Sequence, residues 1–238
     1  VYLRGRPKPR QHDDQRRPRA ALRERGSRLI LARGDSGSVL TALLKQTGAD
    51  AIYWNRRYEP AVTTRDTQIK TTLRNASLQV ESFNGALLHE PWTIQNQSKK
   101  PFQVFTPFWK HCLTKPDPAE PLPPPKSLLA PERWPKSLAL ADLELEPRIK
   151  WAEGMRAAWQ PGEAGAGKML KAFIAAAFVD YADKRNRPDQ RGTSRLSPHL
   201  HFGEISPRQI WHGVKKYAEQ SGGTADRKST RLNSSHAN

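Results

Sequence analysis

The chain has 238 residues, enough for one large domain or two small ones, and a formal net charge of +17. Cys112 is its only cysteine, which excludes a disulfide framework and a cysteine-based zinc site and makes a reducing cytoplasm the expected setting. No apolar run approaches the roughly 18 residues that span a membrane, and the charged N-terminus lacks the apolar core of a secretory signal. The sequons at Asn75 and Asn96 are accordingly expected to stay unmodified.

The charge is uneven. Residues 1–33 hold eleven Lys/Arg against three Asp/Glu, and residues 184–216 hold eight against Asp189 and Glu204. The basic excess of the folded body is thus concentrated near residue 200, where it suits either a nucleic-acid face or a solvated basic surface.

Residues 1–25 are dominated by Arg and Pro without apolar period and are expected to be an unstructured basic head. It reads either as a nucleic-acid-binding arm or as sequence foreign to the protein. From Arg28 the pattern changes. Arg28–Ala32 reads as a short buried strand, and Gly34-Asp35-Ser36-Gly37 as a turn with an N-cap residue. Val39–Gln46 has helical spacing with Gly48 as its stop, and Asp50–Trp54 reads as a second strand. These three elements form a β-α-β unit, which implies a parallel sheet with helices on its faces; Arg65–Leu73 continues as helix and Leu78–Phe83 as a third strand. The Arg33-Gly34-Asp35-Ser36 string is taken as a βα turn and not as an adhesion motif, since no secretion signal accompanies it.

Residues 114–137 contain eight prolines and read as an extended, semi-rigid connector. Glu146–Trp159 reads helical. Gly162–Met169 nearly matches a phosphate-binding P-loop, but Met169 replaces the Mg²⁺-binding hydroxyl and no strand leads in. It is expected to be a Gly-rich loop before a helix that carries Leu170, Phe173, Ile174, Ala177, Phe178 and Tyr181 on one face.

The stretch 192–211, GTSRLSPHLHFGEISPRQIW, carries the most chemistry. Thr193, Ser194 and Ser197 supply three hydroxyls, and Arg195 a fixed charge suited to phosphate. Ser197-Pro198 and Ser206-Pro207 each read as an N-cap followed by proline at the first helical position, and Gln209 completes a capping box with Ser206. Such helix starts are either plain caps or anion sites. His199 and His201, two apart, fall on different helix faces, which argues against a metal site. Trp211 reads as core, with base stacking the alternative.

The strings Gly192-Thr193-Ser194-Arg195-Leu196-Ser197, His199-Leu200 and Gly203-Glu204-Ile205-Ser206-Pro207-Arg208 resemble the DNA photolyase/cryptochrome family, most closely its bacterial cyclobutane pyrimidine dimer photolyases. The resemblance implies that Thr193, Ser194, Arg195, Leu196 and Ser197 wrap the diphosphate of FAD. It also implies that Tyr181 contacts the flavin and that Arg185 lies near DNA. Asn55–Pro60 and Val104–Phe108 are similar to the family's light-harvesting antenna domain. Where folate-using members have an Asn-Glu pair, however, this chain has Ala61 and Val62, so neither folate nor deazaflavin is assigned as antenna pigment and no antenna ligand is carried over.

The implied fold is a partial α/β Rossmann-like antenna domain at 26–112 without its first strand, a Pro-rich linker at 113–146, and the start of an all-α FAD-binding domain at 147–223. The polar tail 224–238 resembles nothing in the family and reads as non-native. The implied activity is light-dependent repair of UV-damaged DNA, in which reduced FAD splits pyrimidine dimers; the implied protein is a monomer with no membrane or protein partner. The family's flavin domain runs on beyond this stretch, so the chain alone is expected to bind FAD weakly or not at all, and no catalytic residue is assigned. A cryptochrome-like flavin photoreceptor and a non-enzymatic basic nucleic-acid-binding protein are the alternatives.

Overall fold

The computed structural model describes residues 21–145, 149 and 151–220; the head up to residue 20 and the polar tail 224–238 lie outside the described residues. In chain order the elements are α1 (Ser36–Thr47), β1 (Ala51–Asn55), α2 (Pro60–Asn75), β2 (Gln79–Phe83), α3 (Phe105–Cys112), α4 (Glu153–Ala158), α5 (Glu163–Ala176), α6 (Tyr181–Lys184), α7 (Ser197–His201) and α8 (Pro207–Gln220). Short 3₁₀ turns lie at Pro91–Thr93 and Leu140–Leu143. Chain contacts group these into two compact units, Val1–Phe83 with Pro123–Gln160 and Asn84–Leu122 with Pro161–Asn238.

In the first unit, local signals set the helix ends. Asp35 Oδ2 accepts from the Ser38 N–H and hydroxyl, both at 2.9 Å, and so caps α1; Gly48, at φ 66°, closes it. Pro60 opens α2 in the first turn, where no N–H is missed. β1 and β2 pair in parallel, from Ala51 opposite Gln79 to Asn55 opposite Phe83, with α2 as the crossover. Leu44, Leu73 and Val80 are buried between helices and sheet, backed by Ile52, Trp54, Ile69 and Leu78. The parallel pairing thus joins the second and third expected strands across α2, and not the first and second across α1.

Three expectations here are corrected. Arg28–Ala32 is extended but belongs to no sheet: Leu31 N–H donates to Ser137 Oγ (2.9 Å) and Leu31 O accepts from Leu138 N–H (2.9 Å). The segment's backbone groups are met by the Pro-rich stretch, with Arg28 over the Trp134 ring at 4.8 Å. Residues 21–24 form a helical turn, tied to Pro125 O by Arg25 Nε (3.0 Å), where an unstructured head was expected. Helix is confined to Glu153–Ala158 within the expected 146–159, of which residues 146–148 and 150 lie outside the described residues. The Pro-rich stretch is irregular, as its composition dictates, yet repeatedly anchored; Arg28 also reaches Pro135 O at 2.9 Å.

The described part of the second unit is helical. Its larger core joins Ala166, Phe173, Ala177, Phe178, Tyr181, Leu196, Ile205, Ile210 and Val214, with Leu170 and Ile174 packed against it. The apolar stripe read from residues 170–181 is therefore the stripe that is buried. Its helix differs from expectation at both ends. The Gly-rich stretch is not a loop: Gly162 turns at φ 93°, and Glu163 onward is α5. Burial of Gly165 and Ala166 outweighs the low helix propensity of glycine, roughly 1 kcal/mol per residue. α5 then stops at Ala176, so Tyr181 opens α6 and does not end the preceding helix. A smaller core joins Ile94, Trp109 and Cys112 with Phe102 and Phe108.

Candidate functional site

The stretch from α6 to α8 is held from three sides. At its start Gly192 is buried against α6: a Cβ there would lie 2.4 Å from the Lys184 carbonyl oxygen and 2.6 Å from its carbon, so only glycine fits. Arg195 sits in the left-handed region at φ 53°, a conformation that costs a non-glycine residue about 1–3 kcal/mol and persists only where the surroundings impose it. Leu196 supplies that anchor, 2% exposed in the larger core, while its N–H meets Ser194 Oγ at 3.4 Å. Because the backbone reverses here, Thr193, Arg195 and Ser197 face outward and Ser194 is half-buried.

α7 occupies five residues and carries no side-chain cap, so Ser197 is its first residue and not the expected N-cap. A helix this short has too few aligned peptides to offer the N-terminal field of a long one. Beyond it, Gly203 turns at φ 68°, Glu204 N–H donates to His199 O at 2.8 Å, and Glu204 Oε2 stands 2.5 Å from His199 Nδ1. His199 is 2% exposed and His201 is exposed beside Phe202, so the two histidines do part. Among the described residues no cluster could hold a metal. The capping box at α8 forms as expected: Ser206 N–H donates to Gln209 Oε1 at 2.8 Å and Gln209 N–H to Ser206 Oγ at 3.2 Å. Trp211 is half-buried on α8.

Tyr181 lies behind the turn, 4% exposed, with Phe173 edge-on at 5.7 Å. Burial raises its hydroxyl pKa, and the Arg185 cation works against that rise. Arg185 itself is exposed and has no ion pair among the described residues, whereas neighbouring Lys184 pairs with Asp180 (2.5 Å) and Arg187 with Asp189 (2.9 Å). The arrangement is thus a turn that exposes Thr193, Arg195 and Ser197 beside the exposed Arg185. That donor set matches the oxygens of a phosphate or diphosphate.

The structure brings Thr193, Ser194, Arg195, Leu196 and Ser197 together as one turn and places Leu196 inward as its anchor. Two features were missed in the sequence: the contact that demands Gly192, and the pairing of His199 with Glu204. The second had a visible signal, a carboxylate five residues after a histidine across a glycine.

A family model described as DNA photolyase matches residues 12–126. The deoxyribodipyrimidine photo-lyase of Agrobacterium fabrum is 45% identical over 197 residues, which are 82% of this chain and 41% of the relative. Cryptochrome-1 of Arabidopsis thaliana is 38% identical over 201 residues, 82% of this chain and 29% of the relative. Among solved structures, a bacterial class III photolyase from Agrobacterium tumefaciens aligns with a TM-score of 0.84 at 40% identity, covering 92% of this chain and 45% of that one. The chain therefore spans less than half the length of each of these proteins.

Proposed function

Because the chain belongs to the DNA photolyase/cryptochrome family, we propose that it forms part of a light-dependent DNA-repair flavoprotein. In this reading its β-α-β part belongs to an antenna domain, and its helices from α5 onward begin an all-α FAD-binding domain. The observation that carries the proposal is the turn at 193–197, which exposes Thr193, Arg195 and Ser197 and half-buries Ser194 on a base fixed by Gly192 and Leu196. Thr193, Ser194 and Ser197 would donate to the diphosphate oxygens of FAD, Arg195 would offset their charge, and Leu196 would hold the turn in place. Tyr181 would meet the flavin with the small edge it leaves exposed, and Arg185 would contact the phosphates of UV-damaged DNA. When bound, reduced and excited FAD supplies an electron that splits a flipped-out pyrimidine dimer and then returns. No antenna pigment is assigned, since Ala61 and Val62, in the first turn of α2, offer no hydrogen-bonding side chain.

The test uses the complete gene product that carries this chain. We expect it to purify with flavin and to remove cyclobutane dimers from DNA under blue light, and we expect Thr193→Ala with Ser194→Ala to weaken FAD binding. Stoichiometric flavin that survives the double substitution would overturn the assignment of the turn. The similarity to Cryptochrome-1 of Arabidopsis thaliana supports a second reading, a flavin photoreceptor. Bound flavin without light-dependent loss of dimers would select it.

A further inference from the structure

We infer that His199 and Glu204 are positioning residues that preorganise the 193–197 turn for the diphosphate of FAD; the inference rests on the flavin reading of that turn. The two residues are joined twice, through Glu204 N–H to His199 O at 2.8 Å and through Nδ1 to Oε2 at 2.5 Å. A carboxylate acceptor fixes the hydrogen on Nδ1. The doubled link closes the loop from His199 across Gly203 to Glu204 into a small ring. His199 is two residues beyond Ser197 and Leu200 N–H donates to Leu196 O at 2.9 Å, so the ring is continuous with the turn's own backbone bonds.

Fold stability alone does not call for this pair. A buried histidine–carboxylate contact gives up hydration on both partners, and well-packed apolar side chains of similar size do as well or better. What an apolar pair lacks is direction. A short charge-assisted bond fixes one ring orientation and hence one backbone path. The turn needs such a constraint, because Arg195 holds a left-handed conformation that it would leave if released. Gly192 and Leu196 hold the upstream and inner sides of the turn, and the His199–Glu204 clamp supplies the downstream side. A ligand that meets outward hydroxyls already in place loses less affinity to ordering than one that must arrange them.

The experiment measures FAD affinity of the complete gene product after flavin removal, by fluorescence titration, together with hydrogen exchange of residues 193–197 in the flavin-free protein. Glu204→Ala is expected to weaken FAD about tenfold, the lower end of what loss of a supporting partner costs a ligand site, and to speed exchange across the turn. Glu204→Gln, which keeps an acceptor, is expected to stay within about twofold. Glu204→Asp, which keeps the charge but withdraws the acceptor, is expected to fall between, and carries the test should the alanine variant fail to fold. Leu73→Ala, in the other unit, is the control for general destabilisation. Wild-type affinity in Glu204→Ala and Glu204→Asp overturns the inference, as does equal loss in the Gln variant, or a loss in Leu73→Ala that tracks its lowered melting temperature. Thr193→Ala with Ser194→Ala separates the two claims: weakened binding there with an intact Glu204 variant refutes only the clamp, whereas unchanged binding in both refutes the flavin reading itself.

Discussion

The position of Gly192 allows a sharp test of how the turn is held. In Gly192→Ala the new methyl carbon would stand 2.4 Å from the Lys184 carbonyl oxygen and 2.6 Å from its carbon. Neither atom is the yielding end of a side chain. The same oxygen accepts the Arg187 N–H at 3.0 Å, so moving it disturbs the turn after α6. Overpacking a tight site costs about 1–3 kcal/mol, and a clash with backbone belongs at the upper end. Two other glycines calibrate the result. A Cβ at Gly167, inside α5, would meet nothing within 4 Å, so Gly167→Ala is expected to stabilise by roughly 0.5–1 kcal/mol through the backbone entropy it removes. At Gly213 the nearest atom is Leu170 Cδ2 at 3.2 Å, a side-chain end that can yield, so gained propensity and repacking should nearly cancel. Urea unfolding of the three variants reads the order directly. If Gly192→Ala unfolds within about 0.5 kcal/mol of the parent, the usual range for an inconsequential surface change, the close approach of the turn to α6 is wrong.

Three further outcomes follow from single residues. Ser206→Ala removes the hydroxyl that accepts the Gln209 N–H and should cost about 1 kcal/mol in the same unfolding assay, with Ser206→Thr recovering most of it. His89 is held below its ordinary pKa of 6.5, first by burial and then by the Lys115 and Arg208 charges. A lowered folded value means that the unfolded chain takes the proton first, so stability should fall as pH drops from about 6.5 toward that lowered value. His89→Gln should flatten that slope, and Arg208→Ala should move the His89 imidazole resonance to a higher midpoint in an NMR titration. Burial raises the Cys112 thiol pKa, with the Lys115 charge opposing. Less thiolate at a given pH means that a thiol reagent at pH 8 should label Cys112 far more slowly in the native protein than in urea.

Where the sequence carried its own punctuation, reading and structure agree. Asp35 and Gly48 bound α1, Ser206 and Gln209 open α8, and the alternation of apolar runs with a helical period gives the β1–α2–β2 crossover. Where the outcome depended on a distant partner, the reading failed. Arg28–Ala32 has the composition of a strand, but strand identity requires a neighbouring ladder, and its backbone bonds go instead to Ser137 and Leu138, over a hundred residues away. Gly162–Met169 looks like a loop because glycine disfavours helix locally. It becomes helix because Ala166 is fully buried in the larger core, a fact of packing that no window of eight residues contains.

The candidate site divides along the same line. The residue types that hold a phosphate, hydroxyls and a guanidinium, can be read in order from Thr193 to Ser197, but their usefulness depends on direction, and direction comes from residues with no such chemistry. Gly192 contributes only the absence of a Cβ, and Leu196 only apolar burial. Together they require the backbone to reverse at Arg195, which on its own would not remain at φ 53°. The strain and the close contact are thus two sides of one constraint: relaxing Gly192 should release Arg195, and the outward hydroxyls with it. Arg195→Gly provides the converse check, since glycine accepts that φ without cost. It should leave the turn in place, with the strain of about 1–3 kcal/mol released against about 1 kcal/mol of added unfolded-chain entropy and the interaction that Arg195 gives up. A clear loss of stability in Arg195→Gly would mean that the Arg195 side chain, and not the packing around it, sets the turn.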